Sequence, residues 1–407
     1  MFLFFKLAFR NLIRNRIRTA LNLTMVVGAF CAIVVFRGFS HYMLSLIETS
    51  ITEGQNGHVQ IAKSAIWSED YPKKMEDAYL ENYQTIEKLL VQVPGTKYAS
   101  ARANAYVLLV NGDKSVGAYA LGYDPKTEPN IEKILTFVDG SGFSNEARYE
   151  ILVGTGLQKN LQLKVGQTLS VVSQTLANSM NSLDLEVRGA VKTGMADVDN
   201  STVFIPLHVS QKLLGTHRVE RIAVLMDKNG DLERNKTEYK KIIEKFKDVE
   251  IKDWKEISPF YTQLTNFYDM QNLVLQIILS ILVFFGILNT LGMSIYERIG
   301  EIGTLMALGD RVETIMSQLV LEGFLLGLLG AALATPIAHL LCSGISFLEI
   351  PILLPGANLA VPVTIQPVLN DYLLSTIIVC LTCFAAIFWP AQRAVRLTIV
   401  DALKVNS

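Results

Sequence analysis

Cysteine is scarce in this sequence: there are four in 407 residues, and none between Ser45 and Met270. That excludes a disulfide framework for the central block, whatever compartment it occupies. The four (Cys31, Cys342, Cys380 and Cys383) fall in apolar stretches. Cys380-x-x-Cys383 has redox or zinc spacing, but its run offers no partner ligands and no polar access, so ordinary buried thiols are expected. Charge is sparse too, at 18% of residues, against about a quarter in a soluble domain. No basic block is present, which argues against nucleic-acid binding. There is no Walker A sequence and no Gly-x-Ser-x-Gly, so this chain does not itself hydrolyse ATP by a P-loop mechanism. Gly154-Thr155-Gly156 lacks the third glycine of a dinucleotide loop. His58, His208 and His217 have no metal-ligand spacing, and the acid pairs Glu69-Asp70 and Asp197/Asp199 read as solvated loop residues. No enzyme, no metal site and no cofactor of the chain's own is expected.

What is present is uneven. Ser45 to Met270 holds 26 Lys/Arg and 30 Asp/Glu, 56 of the chain's 75 charges. The remainder is strongly apolar, and a bilayer core about 30 Å thick needs about 20 such residues per helix. Four windows qualify: Thr19 to Phe36, Leu273 to Met293, Gly323 to about Ile345, and Tyr372 to Trp389. The first is not a cleaved signal peptide, because Phe36-Arg37-Gly38-Phe39 offers no small-x-small site. Lys6, Arg10, Arg14, Arg16 and Arg18 precede span one, and Arg393, Arg396 and Lys404 follow span four. The loop from Ser346 to Asp371 has neither Lys nor Arg. By the positive-inside rule both termini are expected in the cytoplasm, with the Ser45–Met270 block and the Ser346–Asp371 loop outside. Phe5, Phe9 and Leu12 share one helical face and Arg10, Arg14 and Arg18 another, which reads either as a helix on the membrane surface or as a positive-inside tail.

The external block alternates between helical and strand periodicity. Helices are expected at Asn82–Val91, Gly154–Leu163 and Thr237–Phe246, and strands at Glu150–Val153, Thr168–Ser173 and Leu185–Val191. Tyr106–Val110 and Val116–Leu121 read as a hairpin closed by Asn111-Gly112 in a type I′ turn. A polar tip spans Gln174 to Asp184, and Glu256–Asn272 reads as a stalk running into span two.

Tyr296-Glu-Arg-Ile-Gly-Glu-Ile-Gly-Thr-Leu-Met-Ala-Leu-Gly309 resembles the coupling segment of ABC-exporter permeases of the MacB/FtsX/LolC–LolE superfamily. Four further stretches agree in order. Leu7-Ala-Phe-Arg-Asn-Leu-Ile-Arg-Asn15 is similar to the family's surface helix. Val153-Gly-Thr-Gly-Leu157 with Leu161-Gln-Leu-Lys-Val-Gly-Gln-Thr-Leu169 looks like the MacB-type periplasmic core. Gly194-x-x-x-x-Asp199 with Val203-Phe-Ile-Pro-Leu207 resembles the strand pair closing it. Pro390-Ala391, Arg393-Ala394 and Asp401-Ala-Leu403 match the C-terminal exit.

The resemblance implies a membrane α-helical protein with four transmembrane helices, one plus three, and a large inserted extracytoplasmic α/β domain. The expected parts are a surface helix (1–18), span one with the start of its stalk (19–44) and a periplasmic core (45–255). Then come a stalk with span two (256–296), a coupling helix (297–314) and an FtsX-like region with spans three and four (315–407). It implies a permease subunit of an ABC exporter in the bacterial inner membrane, working by mechanotransmission and paired with a second permease, a copy or a paralogue. MacB carries its ATPase N-terminally, whereas this sequence starts at the surface helix, so a separate ATPase dimer binding ATP and Mg²⁺ is expected. Glu297, Arg298 and Glu301 would form a charged surface beside Ile302, Leu305 and Met306, which would insert into the ATPase up to Gly309; a solvated helix is the plain alternative.

Gly57-His-Val-Gln-Ile61 resembles the LolC/LolE branch, which suggests cargo such as a lipoprotein or another lipid-like or amphipathic molecule. The short, proline-free Gln174–Asp184 tip departs from the LolC hook and leaves a periplasmic chaperone or adaptor open. Extraction needs an apolar intramembrane cavity, for which Val26, Phe30 and Val34 in span one and Leu275, Ile278 and Leu282 in span two are candidates; lipid-facing or packing roles are the alternative. Gly28 and Ala29 would permit close helix approach. Drug, peptide or toxin efflux, and regulation of a periplasmic hydrolase, are the competing functions.

Overall fold

A computed structural model describes residues 14, 16–68, 75–144, 148–227, 230–353 and 360–396. The expected surface helix falls outside these up to residue 13, as does the C-terminal exit at 401–403. Arg16–Arg18 already belong to the long helix of span one. The chain divides into two units. One comprises Leu46–Thr262 with Ile352–Val361, and the other comprises Met1–Ser45, Gln263–Pro351 and Pro362–Ser407.

In chain order the labelled helices are α1 (Arg16–Ile51), α2 (Tyr83–Val91), α3 (Asn130–Ile134), α4 (Thr155–Leu161), α5 (Leu207–Leu214), α6 (Leu232–Ile243), α7 (Pro259–Glu297), α8 (Ile299–Ala307), α9 (Val312–Phe347) and α10 (Leu369–Val395). Four of them are long and apolar enough to cross a membrane: α1 with its continuation to Gly54, α7, α9 and α10.

The first unit is an α/β domain built on one sheet, with strands β1 (Val59–Lys63), β2 (Thr96–Arg102), β3 (Ala105–Asn111), β4 (Lys114–Tyr123), β5 (Thr136–Gly140), β6 (Glu150–Gly154), β7 (Thr168–Gln174), β8 (Met180–Lys192), β9 (Thr202–Pro206), β10 (Arg221–Met226) and β11 (Val249–Asp253). The sheet runs β11-β1-β10-β2-β4-β3-β7-β8-β6-β9, and β5 pairs with β8. Parallel pairing of β9 with β4 closes the last six strands into a barrel. Strand alternation sends Val107, Leu109, Val171, Val187, Val153 and Val203 into its core. The four strands outside the barrel bury Val59, Ile61, Ile222, Val224, Ala99 and Ala101 beneath Ile86 and Leu90 of α2 and Tyr239 and Ile243 of α6.

Several local expectations shift. Asn111 pairs with Lys114 inside the ladder, so the hairpin loop is Gly112-Asp113 rather than Asn111-Gly112. Only Gly112 of these has positive φ (59°), the pattern of a type II′ turn and not of type I′. The polar tip contracts to residues 175–179, because β7 and β8 pair up to Gln174↔Met180. Most of Gly194–Asp199 is loop and short helix, not strand. The helix expected at Thr237 begins at Leu232, since Asp231 caps it by accepting from Glu233 N–H and Arg234 N–H. The stalk starts at Pro259, three residues late: an Asp253–Glu256 capping box encloses a separate turn, Trp254–Ile257, and proline then takes the first helical position.

α7 is a single 39-residue helix, about 58 Å long at 1.5 Å per residue, roughly twice what the hydrocarbon core requires. In the membrane unit α9 packs on α10 through glycines. A Cβ at Gly323 would stand 2.6 Å from Ile387 Cγ2, and one at Gly327 would stand 3.0 Å from the Cys380 Cα. This is the small-xxx-small packing of membrane helices. Cys31, Cys342, Cys380 and Cys383 are all free and buried.

Candidate functional site

The best-defined constellation of the membrane unit surrounds α8. α7 stops at Glu297 because Arg298 (φ −101°, ψ 8°) leaves helical geometry, and α8 starts immediately afterwards. At its other end Gly309 takes φ 97°. Gly309 N–H donates to Met306 O and Asp310 N–H to Leu305 O, at 3.1 Å each. That is a Schellman closure, in which glycine avoids the strain a side chain would meet at positive φ. Gly309 is thus the stop of the helix.

The charges of this segment are engaged within the chain. The Arg18 guanidinium grips Glu297 with two bonds of 2.6 Å, a bidentate geometry that fixes orientation as well as distance. Arg14 donates to Glu301 at 3.2 Å. Arg298 lies between Glu301 (Nε, 3.3 Å) and Glu322 on α9 (3.3 Å to the nearer oxygen). The Glu322 side chain is only 8% exposed, so this pair is the least screened of the set. Burial raises the Glu301 carboxyl, but the Arg14 and Arg298 guanidiniums outweigh it and hold the group below the ordinary carboxylate range. The end of α7, α8 and α9 are therefore linked by alternating charge to one another and to the start of α1. α8 also touches α10.

Ile302 is buried against the chain's own helices, and Leu305 and Met306 are half-buried. The expected apolar plug of these three is thus partly absorbed by the bundle. The apolar side chain that projects outward is Leu308, 79% exposed at the tip beside Gly309. Leu308 was hidden in the sequence by its place inside the resembling motif, where it reads as one more helical apolar residue. Glu322 was hidden by lying one residue outside an apolar window. A lone acid at the edge of a span is the signal that would have found it.

The candidate intramembrane residues separate into two sets. Val26, Phe30 and Val34 are fully buried. Val26 fills the space that the absent side chain of Gly330 on α9 leaves. On α7, Ile278 and Leu282 are more than half exposed and Leu275 is half-buried. Gly28 is not the close-approach position either, since a Cβ there would meet nothing within 4 Å; Gly330 takes that role. One feature of the helices had no counterpart in the sequence reading. Asp371, fully buried at the start of α10, accepts from Arg37 Nε at 2.6 Å, lies 3.3 Å from His41 Nε2 and caps its helix through Val368 N–H at 3.0 Å.

Comparison with known proteins adds the following. Residues 19–242 match the MacB-like periplasmic core domain family, and residues 273–399 match the FtsX-like permease C-terminal family. The chain is 24% identical over 246 residues to an uncharacterized ABC transporter permease of Methanocaldococcus jannaschii, a match covering 58% of this chain and 59% of that protein. It is 23% identical over 391 residues to the ABC transporter permease YtrF of Bacillus subtilis (87% and 84% covered). It is 21% identical over 407 residues to a macrolide export ATP-binding/permease protein MacB of Yersinia pestis (98% and 57% covered). The match thus spans less than two thirds of the length of the first and third of these relatives.

Proposed function

Because the chain belongs to the family defined by the MacB-like periplasmic core domain and the FtsX-like permease C-terminal region, we propose that it is the membrane-spanning permease of an ABC exporter. In this reading α8 and both termini face the cytoplasm, and a separate ATPase dimer binds ATP and Mg²⁺ and docks on the α8 tip through Leu308. The inserted domain lies on the outer side of a bacterial inner membrane and handles an amphipathic cargo, such as a lipoprotein, already outside that membrane. A second permease, a copy or a paralogue, covers the exposed apolar face of α7 at Ile278 and Leu282.

The observation that carries the reading is the clamp of Arg14 on Glu301 and Arg18 on Glu297, with Arg298 held between Glu301 and Glu322. A push on α8 would be delivered to α1 and α9 together, rather than being lost in a hinge. α1 and α7 are the two helices whose chain leads directly into and out of the inserted domain. The arrangement needs no reacting group in this chain, since its chemistry is mechanical.

The test separates docking from transmission. Leu308→Asp leaves every ion pair in place and should abolish co-purification of the ATPase. Arg18→Glu should preserve co-purification but uncouple ATP turnover from cargo movement, and Arg18→Glu with Glu297→Arg should restore coupling. An ATPase that still binds Leu308→Asp at wild-type level would overturn the docking assignment. A double reversal no better than the single one would overturn the clamp.

A further inference from the structure

The outer strands of the inserted domain have two unlike faces. Val59, Ile61, Ile222 and Val224 point to the apolar core. Strand alternation therefore turns Gln60, Arg221, Ser100 and Arg102 to the other side. Gln60, Ser100 and Arg102 are essentially fully buried there. Burying such a row is costly unless each polar atom finds a partner. Most do. Arg102 pairs with Glu128, while Arg221 donates to Gln60 Oε1 at 2.8 Å and pairs with Glu220. Ser100 Oγ and the Arg221 Nε donor do not, nor does the Asn104 Oδ1 acceptor just beyond β2; all three are buried without a hydrogen-bond partner. Asn104 is only 9% exposed.

Arg221 and Asn104 line a cavity of about 130 Å³. Its remaining walls include Leu121 of β4, Ile131 of α3 and Phe204 of β9, all apolar, and Gly54 of the π-helical turn Thr52–Asn56 that continues α1. A Cβ added at Gly54 would meet nothing within 4 Å. π-Turns are rare and concentrate at functional sites.

We propose that this cavity binds a small aliphatic α-amino acid. Arg221 Nε would receive its carboxylate, Asn104 Oδ1 would accept from its ammonium group, and Leu121, Ile131 and Phe204 would surround its side chain. The charge inventory suits a zwitterion. Two guanidiniums are matched by the Glu128 and Glu220 carboxylates, so the site has a strong field of both signs and no net excess to attract a simple anion or cation. Size restricts the ligand further. The cavity is far below the roughly 300 Å³ at which drug-sized sites begin. That admits alanine or valine and excludes a lipid chain or macrolide. Occupancy would stiffen the π-turn against the sheet, so the free amino acid acts as an effector of the domain rather than as its cargo. This goes beyond the exporter reading and does not depend on it.

The experiment is equilibrium dialysis of the full chain in lipid nanodiscs against L-alanine and L-valine separately, with isobutyrate and valinamide as analogues lacking the ammonium and the carboxylate. The expected result is saturable one-to-one binding of at least one amino acid, weakened at least ten-fold in both analogues. Asn104→Leu should weaken it similarly. Gly54→Leu, whose Cβ would meet nothing within 4 Å, should abolish it. The proposal is overturned by the absence of saturable binding of both amino acids, by unchanged binding in Gly54→Leu, or by an experimental structure, solved with the amino acids present, that holds only ordered water between Arg221 and Asn104.

Discussion

Glu87 offers a direct test of the inserted domain's electrostatics. It sits on α2 and accepts a hydrogen bond from Ala101 N–H on β2 at 2.5 Å. Burial, helped by the like charge of Asp124 and opposed by the Ala101 bond, pushes its carboxyl from 4.5 up to about 7. The folded domain therefore holds this proton more tightly than the unfolded chain. Its contribution to stability is fully present below pH 4.5 and is lost as pH rises through about 7. At about 1.36 kcal/mol per unit the ceiling is about 3 kcal/mol, and solvent reaching the half-buried side chain reduces it to about 1–3 kcal/mol. Glu87→Gln keeps an acceptor for Ala101 but never ionises. At pH 8 it should raise the melting temperature of the domain by about 2–12 °C, at roughly 2–4 °C per kcal/mol for a domain of this size. At pH 5 most of the gain should disappear. Fluorescence of Trp67 and Trp254, both within the domain, reads the transition in the full chain in detergent, with Trp389 of α10 as the other tryptophan. A variant no more stable than the parent at pH 8, or one with the same gain at both pH values, would refute the argument.

Other expectations follow from burial and packing. Glu128→Gln or Arg102→Met removes one partner of an ion pair whose side chains are 1–2% exposed and should cost about 3–5 kcal/mol. Combining Arg102→Met with Glu128→Leu should recover most of that loss in the same fluorescence assay. In the membrane unit Gly330→Val collides with Val26 while Gly28→Val meets open space. Heat-induced aggregation in detergent should therefore shift to lower temperature for the first variant and stay within a degree or two of the parent for the second.

The sequence determined by itself that this chain has four apolar helices arranged one plus three around a charged insertion, because composition and run length are local properties that no folding rearranges. It also marked the coupling segment, through the charges and glycines of Glu297–Gly309, and five of the eleven strands of the insertion (β3, β4, β6, β7 and β8). Three things were decided only in three dimensions. Closure of six strands into a barrel rests on the parallel β4–β9 contact between segments some eighty residues apart, which no local period encodes. The fate of the coupling charges depends on Arg14 and Arg18, nearly three hundred residues away, and on Glu322 of α9, whose pairing with them no local pattern encodes. The apolar stripe Val26–Phe30–Val34 has the same periodicity whether it faces a cavity, lipid or another helix. Only the missing side chain of Gly330, three hundred residues further on, determines that it is buried packing. Periodicity fixes which residues share a face, and tertiary structure alone fixes what that face meets.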